Sequence, residues 1–196
     1  MDGGTPTALI CSKDNWCWES PLPQGNHIRA VWGTGPNNIW AVGDAGVILK
    51  WDGAKWAAQT SGTTTNLYGI WGSSANSIWA VGLGGLILKW NGTQWLPQTS
   101  GTSSSLTGIW GSDAANIWAV GEAGVILLGN GSSWTVRASG TTAKLNAVWG
   151  VSTTAVWAVG EGGVIVRWNG SAWASQSSAT GNALTAVGGV DASNVW

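Results

Sequence analysis

A 39-residue period governs this chain. Residues 28–66, IRAVWGTGPNNIWAVGDAGVILKWDGAKWAAQTSGTTTN, run without a gap into residues 67–105, LYGIWGSSANSIWAVGLGGLILKWNGTQWLPQTSGTSSS, identical at 20 of 39 positions. Two more units occupy 106–144 and 145–183, and a partial one fills 184–196. Trp32, Trp71, Trp110 and Trp149 keep this step, as do Trp40, Trp79, Trp118, Trp157 and Trp196, and Trp56, Trp95, Trp134 and Trp173. A unit of this length cannot bury its apolar face alone and must stack on its neighbours, which restricts the chain to repeat architectures.

Within a unit, Ile28–Trp32, Ile39–Val42, Val47–Trp51 and Trp56–Gln59 are apolar, β-branched or aromatic, and separated by Gly, Asn, Asp, Ser or Thr. This pattern predicts four short strands. Gly recurs every few residues and no 3.6-residue apolar stripe persists, which argues against helix. Asp52-Gly53, Asn91-Gly92, Asn130-Gly131 and Asn169-Gly170 predict a two-residue hairpin turn between the third and fourth strands. Four strands in about 40 residues is the pattern of a propeller blade.

The leader, residues 1–27, aligns with the back half of a unit, with Leu9-Ile10 in place of Val47-Ile48, Asp14 of Asp52 and Trp18 of Trp56. Residues 184–196 supply a front half. The expectation is one all-β domain over 1–196, a five-bladed β-propeller. Its blades are 28–66, 67–105, 106–144 and 145–183, and the fifth is a composite of both ends. Closure would cover strand edges that otherwise stay unpaired.

Charged residues are 9% of the chain, against roughly 25% in an average soluble domain. Eight basic and nine acidic residues give a net charge of −1, without the basic footprint of a nucleic-acid binder. No apolar run approaches the roughly 20 residues of a membrane helix, so membrane insertion is not expected. Eighteen Trp and no Phe make the indoles the natural core. The Trp40 and Trp56 ladders are expected between blades, where burying ~200 Å² per ring contributes about 5 kcal/mol gross.

A third ladder is irregular: Trp51, Trp90, Gly129 and Trp168, with Lys13 in the leader. A position that takes Trp, Gly and Lys reads as exposed. Trp51, Trp90 and Trp168 stand beside Asp52, Asn91 and Asn169, and these six are the candidate carbohydrate-binding residues. An indole stacks on the apolar face of a pyranose while the side-chain oxygen takes hydroxyl hydrogen bonds. The plainer alternative is that these rings cover the blade rim.

Asp44, Glu122 and Glu161, with Leu83 in the remaining unit, occupy one turn and read as solvated residues set too far apart to share a calcium ion. His27 has no repeat counterpart and no evident Ser or Cys partner. No catalytic residue, metal site or cofactor is expected. Cys11 and Cys17 face each other if the leader turn takes three residues, and opposite sides if it takes two. Both pairings stand. A disulfide would imply export, so an extracytoplasmic or secreted location is suspected on that ground, although Met1-Asp2-Gly3-Gly4 does not open a signal peptide.

The unit WAVGDAGVILKWDGAKWAAQTSGTTTNLYGIWG resembles bacterial Trp-rich β-propeller repeats related to Asp-box (BNR, sialidase-like) and photosystem II assembly-factor-like propellers. Val42-Gly43, Gly46, Ile48, Asp52-Gly53 and Trp56 carry the resemblance, which runs from Ala8 to Trp196 and implies a propeller fold. The unit departs from the Asp-box pattern at Trp51 and has one residue fewer between Asp52 and Trp56. The arginine triad and Tyr-Glu nucleophile of sialidases have no match, Tyr68 being the only tyrosine. The five-blade count with repeated aromatic sites is similar to tachylectin-type lectins. The main reading is a non-enzymatic, multivalent carbohydrate-binding (lectin-like) propeller. Its alternative is a structural or protein-interaction propeller scaffold, natural fragment or engineered, with no small-molecule ligand. Partners are then glycans or another protein, and the chain is a monomer if the ring closes within it and an oligomer otherwise.

Overall fold

The computed structural model describes Lys13 and residues 25–196. The leader half-blade and the Cys11–Cys17 question lie outside the described residues.

Four antiparallel four-stranded sheets follow one another along the chain. The first holds β1 (Ile28–Gly35), β2 (Asn38–Gly43), β3 (Ile48–Trp51) and β4 (Trp56–Gln59) in sequence order. The second holds β5 (Leu67–Ser74), β6 (Ser77–Gly82), β7 (Ile87–Trp90) and β8 (Trp95–Gln98). The third holds β9 (Leu106–Asp113), β10 (Asn116–Gly121), β11 (Ile126–Gly129) and β12 (Trp134–Arg137). The fourth holds β13 (Leu145–Ser152), β14 (Ala155–Gly160), β15 (Ile165–Trp168) and β16 (Trp173–Gln176). A two-stranded hairpin, β17 (Gly189–Asp191) with β18 (Asn194–Val195), ends the array. The described residues thus show four complete blades and the front of another, and their sheets do not close into a ring.

Two local expectations are corrected. The first strand of each unit runs past Trp32 to Gly35, with bulges near both ends, and the third starts at Ile48 because Val47 caps the 3-10 turn over Asp44–Gly46, donating its N–H to the Asp44 carbonyl. The β3–β4 connection is not an Asp-Gly turn with both residues at positive φ. Only Gly53 takes it, at 100°. Asp52 instead pairs with Lys55 through the backbone, and its carboxylate accepts the N–H groups of Ala54 and Lys55 at 2.9 Å each. Asp and Asn are selected there for that side-chain acceptor.

Register assigns the faces. Trp32, Trp40 and Lys50 pair across the first sheet, and Ile39, Trp51 and Trp56 form the next row. Side chains alternate along a strand, so Trp40, Val42 and Ile48 point to one face and Val31, Leu49, Trp51 and Trp56 to the other. The Trp40 face packs on Ile70, Ile78, Leu88, Trp90 and Trp95 of the second sheet. The same stacking joins Trp118, Val120 and Ile126 to Val148, Val156, Val166, Trp168 and Trp173. Trp40, Trp79, Trp118 and Trp157 are 0%, 0%, 2% and 5% exposed, as core indoles should be.

Glycines set the sheet spacing. A Cβ at Gly72, Gly111, Gly150 or Gly189 would meet the ring of Trp32, Trp71, Trp110 or Trp149 at 2.6–2.8 Å. The benzo edge of each unit's first-strand indole therefore sits against the glycine of the next first strand.

Candidate functional site

The six predicted sugar-binding residues lie at the end of each sheet that carries the β1–β2 and β3–β4 connections. Trp90 and Trp168 are only 7% and 9% exposed, which corrects the expectation that this ladder is exposed. The cause is the preceding sheet. Trp40 comes within 5.1 Å of the Trp90 ring centre and 5.6 Å of Trp95, and Trp118 within 5.0 Å of Trp168 and 5.1 Å of Trp173. Trp51, in the first sheet, is half-buried and donates its Nε1 to the Pro36 carbonyl at 3.0 Å. The neighbouring oxygens are engaged as well: Asn91 accepts from Thr93 and Gln94, and Asn169 from Ser171 and Ala172. Gly129 breaks the ladder without exposing it, because the Trp134 ring lies 2.9 Å from where its Cβ would stand. The variability is compensated inside the core.

The opposite end of the array carries a feature the sequence reading passed over. In the four complete units the second residue of the first strand is Arg29, Tyr68, Thr107 and Asn146, different each time, while the Trp and Gly three and four positions on do not change; the partial unit has Thr185 and Gly188 at the first two of these positions. Strands β1, β5, β9 and β13 lie in succession side by side, which brings these four side chains to one surface. With Glu122 and Lys144 they line an open, polar cleft of about 390 Å³. Variability across the four complete units within a fixed local context was the available signal.

The ends of the cleft are differently built. Arg29 donates Nε and Nη2 to the two carboxylate oxygens of Asp44, both at 2.9 Å. That guanidinium holds the Asp44 carboxyl below the ordinary aspartate range, and the carboxylate in turn raises Arg29. Both side chains keep solvent contact. The Thr107 hydroxyl donates to the Leu145 carbonyl, and the Asn146 amide donates to the Leu184 carbonyl at 2.9 Å, each bridging to the following unit. Among the described residues no hydrogen bond engages the Tyr68 hydroxyl, the Glu122 carboxylate or the Lys144 ammonium. The cleft therefore offers one aromatic phenol, one free anion and one free cation on a rigid floor of strands.

No family model and no curated protein matches this chain. Solved structures do. YCF48 from Cyanidioschyzon merolae superimposes with a TM-score of 0.68 at 18% identity, over 90% of this chain and 65% of that one. YCF48 bound to D1 peptide gives 0.60 at 18% identity, over 81% and 55%. The chain is YCF48-like in fold. It is an all-β array of β-propeller blades, and it spans between about half and two thirds of the two YCF48 chains. At 18% identity the likeness to YCF48 is one of architecture.

Proposed function

We propose that this chain is a non-enzymatic protein-interaction propeller that holds a peptide segment in the cleft lined by Arg29, Tyr68, Thr107, Asn146, Glu122 and Lys144. The observation that carries the reading is four consecutive blades placing four different polar side chains in one cleft. Such a surface suits a partner whose chemistry changes from residue to residue. Tyr68 contributes contact area together with a polar tip, and Glu122 and Lys144 select opposite charges. The YCF48 complex with D1 peptide supports it, since a propeller of this architecture there takes a peptide. The lectin reading has less support, because two of its three indoles are covered.

Peptide display and a glycan array, run on the intact protein beside Tyr68→Ala/Lys144→Ala, test the proposal. The expected result is a set of peptides lost with that variant and no glycan binder. Glycan binding removed by Trp51→Ala would reverse the assignment.

We also infer that the array closes as a monomer of five sectors, the fifth built from residues 1–27 and 184–196. The end hairpin supports this. Gly188 and Trp196 exchange backbone hydrogen bonds at 2.9 Å in both directions, at the repeat positions where Trp32 pairs with Trp40.

A further inference from the structure

Successive units run close together at the level of the cleft. The Thr107 hydroxyl donates to the Leu145 carbonyl, and the Asn146 amide donates to the Leu184 carbonyl at 2.9 Å, so each side chain spans the gap to the next unit by itself. Between the second and third sheets, a Cβ on Gly69 would stand 3.5 Å from the Ile109 backbone nitrogen. One short side chain and one hydrogen bond set a step of roughly 7 Å from blade to blade. An extended peptide repeats its side chains on one face at nearly the same interval, roughly 6.7 Å. A segment laid across the strands therefore drops every second side chain onto a successive blade.

The blades do not ask for the same residue. At the first, Arg29 and Asp44 satisfy each other through two hydrogen bonds of 2.9 Å and leave little charge to read. At the second, Tyr68 is half-buried and offers a ring on which a large apolar side chain can rest. At the third, the Thr107 hydroxyl spends its proton on Leu145, inside the floor. At the fourth, the turn that begins at Glu122 packs against β13, and the Glu161 N–H donates to the Lys144 carbonyl at 2.9 Å. Glu122 and Glu161 are both exposed. Two carboxylates against one ammonium leave this end net negative, which favours a cation.

We propose that the bound segment is extended, crosses the blades with two residues per blade, and carries a large apolar side chain over Tyr68 and a basic one, four residues away, at Glu122. The assignment rests on the peptide reading above and adds to it a conformation and a sequence pattern. Two steps of the array separate Tyr68 from the Glu122 end, and two residues per step fix the spacing at four.

A random peptide library panned against the intact protein, followed by an alanine scan of the selected peptides, tests it. The selected sequences should share an apolar residue and a Lys or Arg four positions apart. Alanine at either anchor should weaken binding about tenfold or more, and alanine at the positions just beside them by about twofold or less. Glu122→Lys should cost about tenfold with an unchanged melting temperature, and a peptide whose base is replaced by Glu should recover that loss on the variant alone. Sensitivity at consecutive positions, or with the three-to-four-residue period of a helix, overturns the register. An acidic anchor, or no rescue by the charge exchange, overturns the basic assignment. If Tyr68→Ala/Lys144→Ala abolishes binding while the scan shows no alternation, the peptide reading stands and only this pattern fails. If no peptide is selected, or those selected bind that variant equally well, both fail.

Discussion

The benzo edge of Trp71 abuts Gly111 in the next sheet, so close that a methyl group there would come within 2.6 Å of it. The same relation joins Trp32 to Gly72 and Trp110 to Gly150. It explains why the W-G dipeptide recurs. The Trp covers the neighbour ahead, and the Gly leaves room for the Trp behind.

Gly111→Ala forces that ring away and should destabilise the protein by about 2 kcal/mol, within the usual cost of overpacking. Gly181 has φ outside the left-handed region and nothing within 4 Å of its would-be Cβ. Gly181→Ala should change stability by less than about 0.5 kcal/mol. Thermal unfolding of the two variants side by side checks the contrast.

Adjacent glycines in the 3-10 turn over Leu83–Gly85 should behave oppositely. Gly84 has φ 67° with open space around it, and the equivalent residues Ala45 and Ala123 already sit at 55°. Gly84→Ala should therefore cost about 1 kcal/mol or less. Gly85 has φ 76°, and its Cβ would fall 2.1 Å from the Thr102 carbonyl oxygen and 3.0 Å from the Ser100 hydroxyl. Gly85→Ala breaks a loop that Ser100 holds by bonding both the carbonyl and the N–H of Thr102, and should lower the denaturation midpoint far more.

Much of the fold was legible in the sequence because the repeat multiplies weak signals. Four copies of each strand pattern made the sheets plain, and the Trp40 ladder marked the core. The site was not legible by the same route. Trp51, Trp90, Gly129 and Trp168 vary because neighbouring rings fill the gap, as Trp134 does beside Gly129. A single sequence does not separate that compensation from exposure. Arg29, Tyr68, Thr107 and Asn146 share a surface only because sheet stacking brings residues 39 apart to one cleft, a relationship that strand pattern does not encode.

Acid should begin to lower the protein's stability at the ordinary carboxylate range and below it. Asp44 is held down by Arg29, Asp52 by the backbone N–H groups of Lys55 and Ala54, Asp113 by Asn116, and Asp191 by Asn194. Each has a lower pKa folded than unfolded, so the folded state binds fewer protons and stability rises with pH through that window. The contribution is complete above the unfolded value of about 3.9 and is lost as pH falls through the depressed folded values. Denaturant midpoints should be flat from about pH 5 to 8 and drop below about pH 4, and Asp113→Asn should soften that drop.

Calorimetric titration of a display-selected peptide into the intact protein and into Tyr68→Ala/Lys144→Ala tests the central claim most directly. The account predicts affinity at least tenfold weaker in the variant with an unchanged melting temperature, since both side chains face the cleft rather than the core. Equal affinity for both proteins, or loss of binding only in Trp51→Ala, would contradict it.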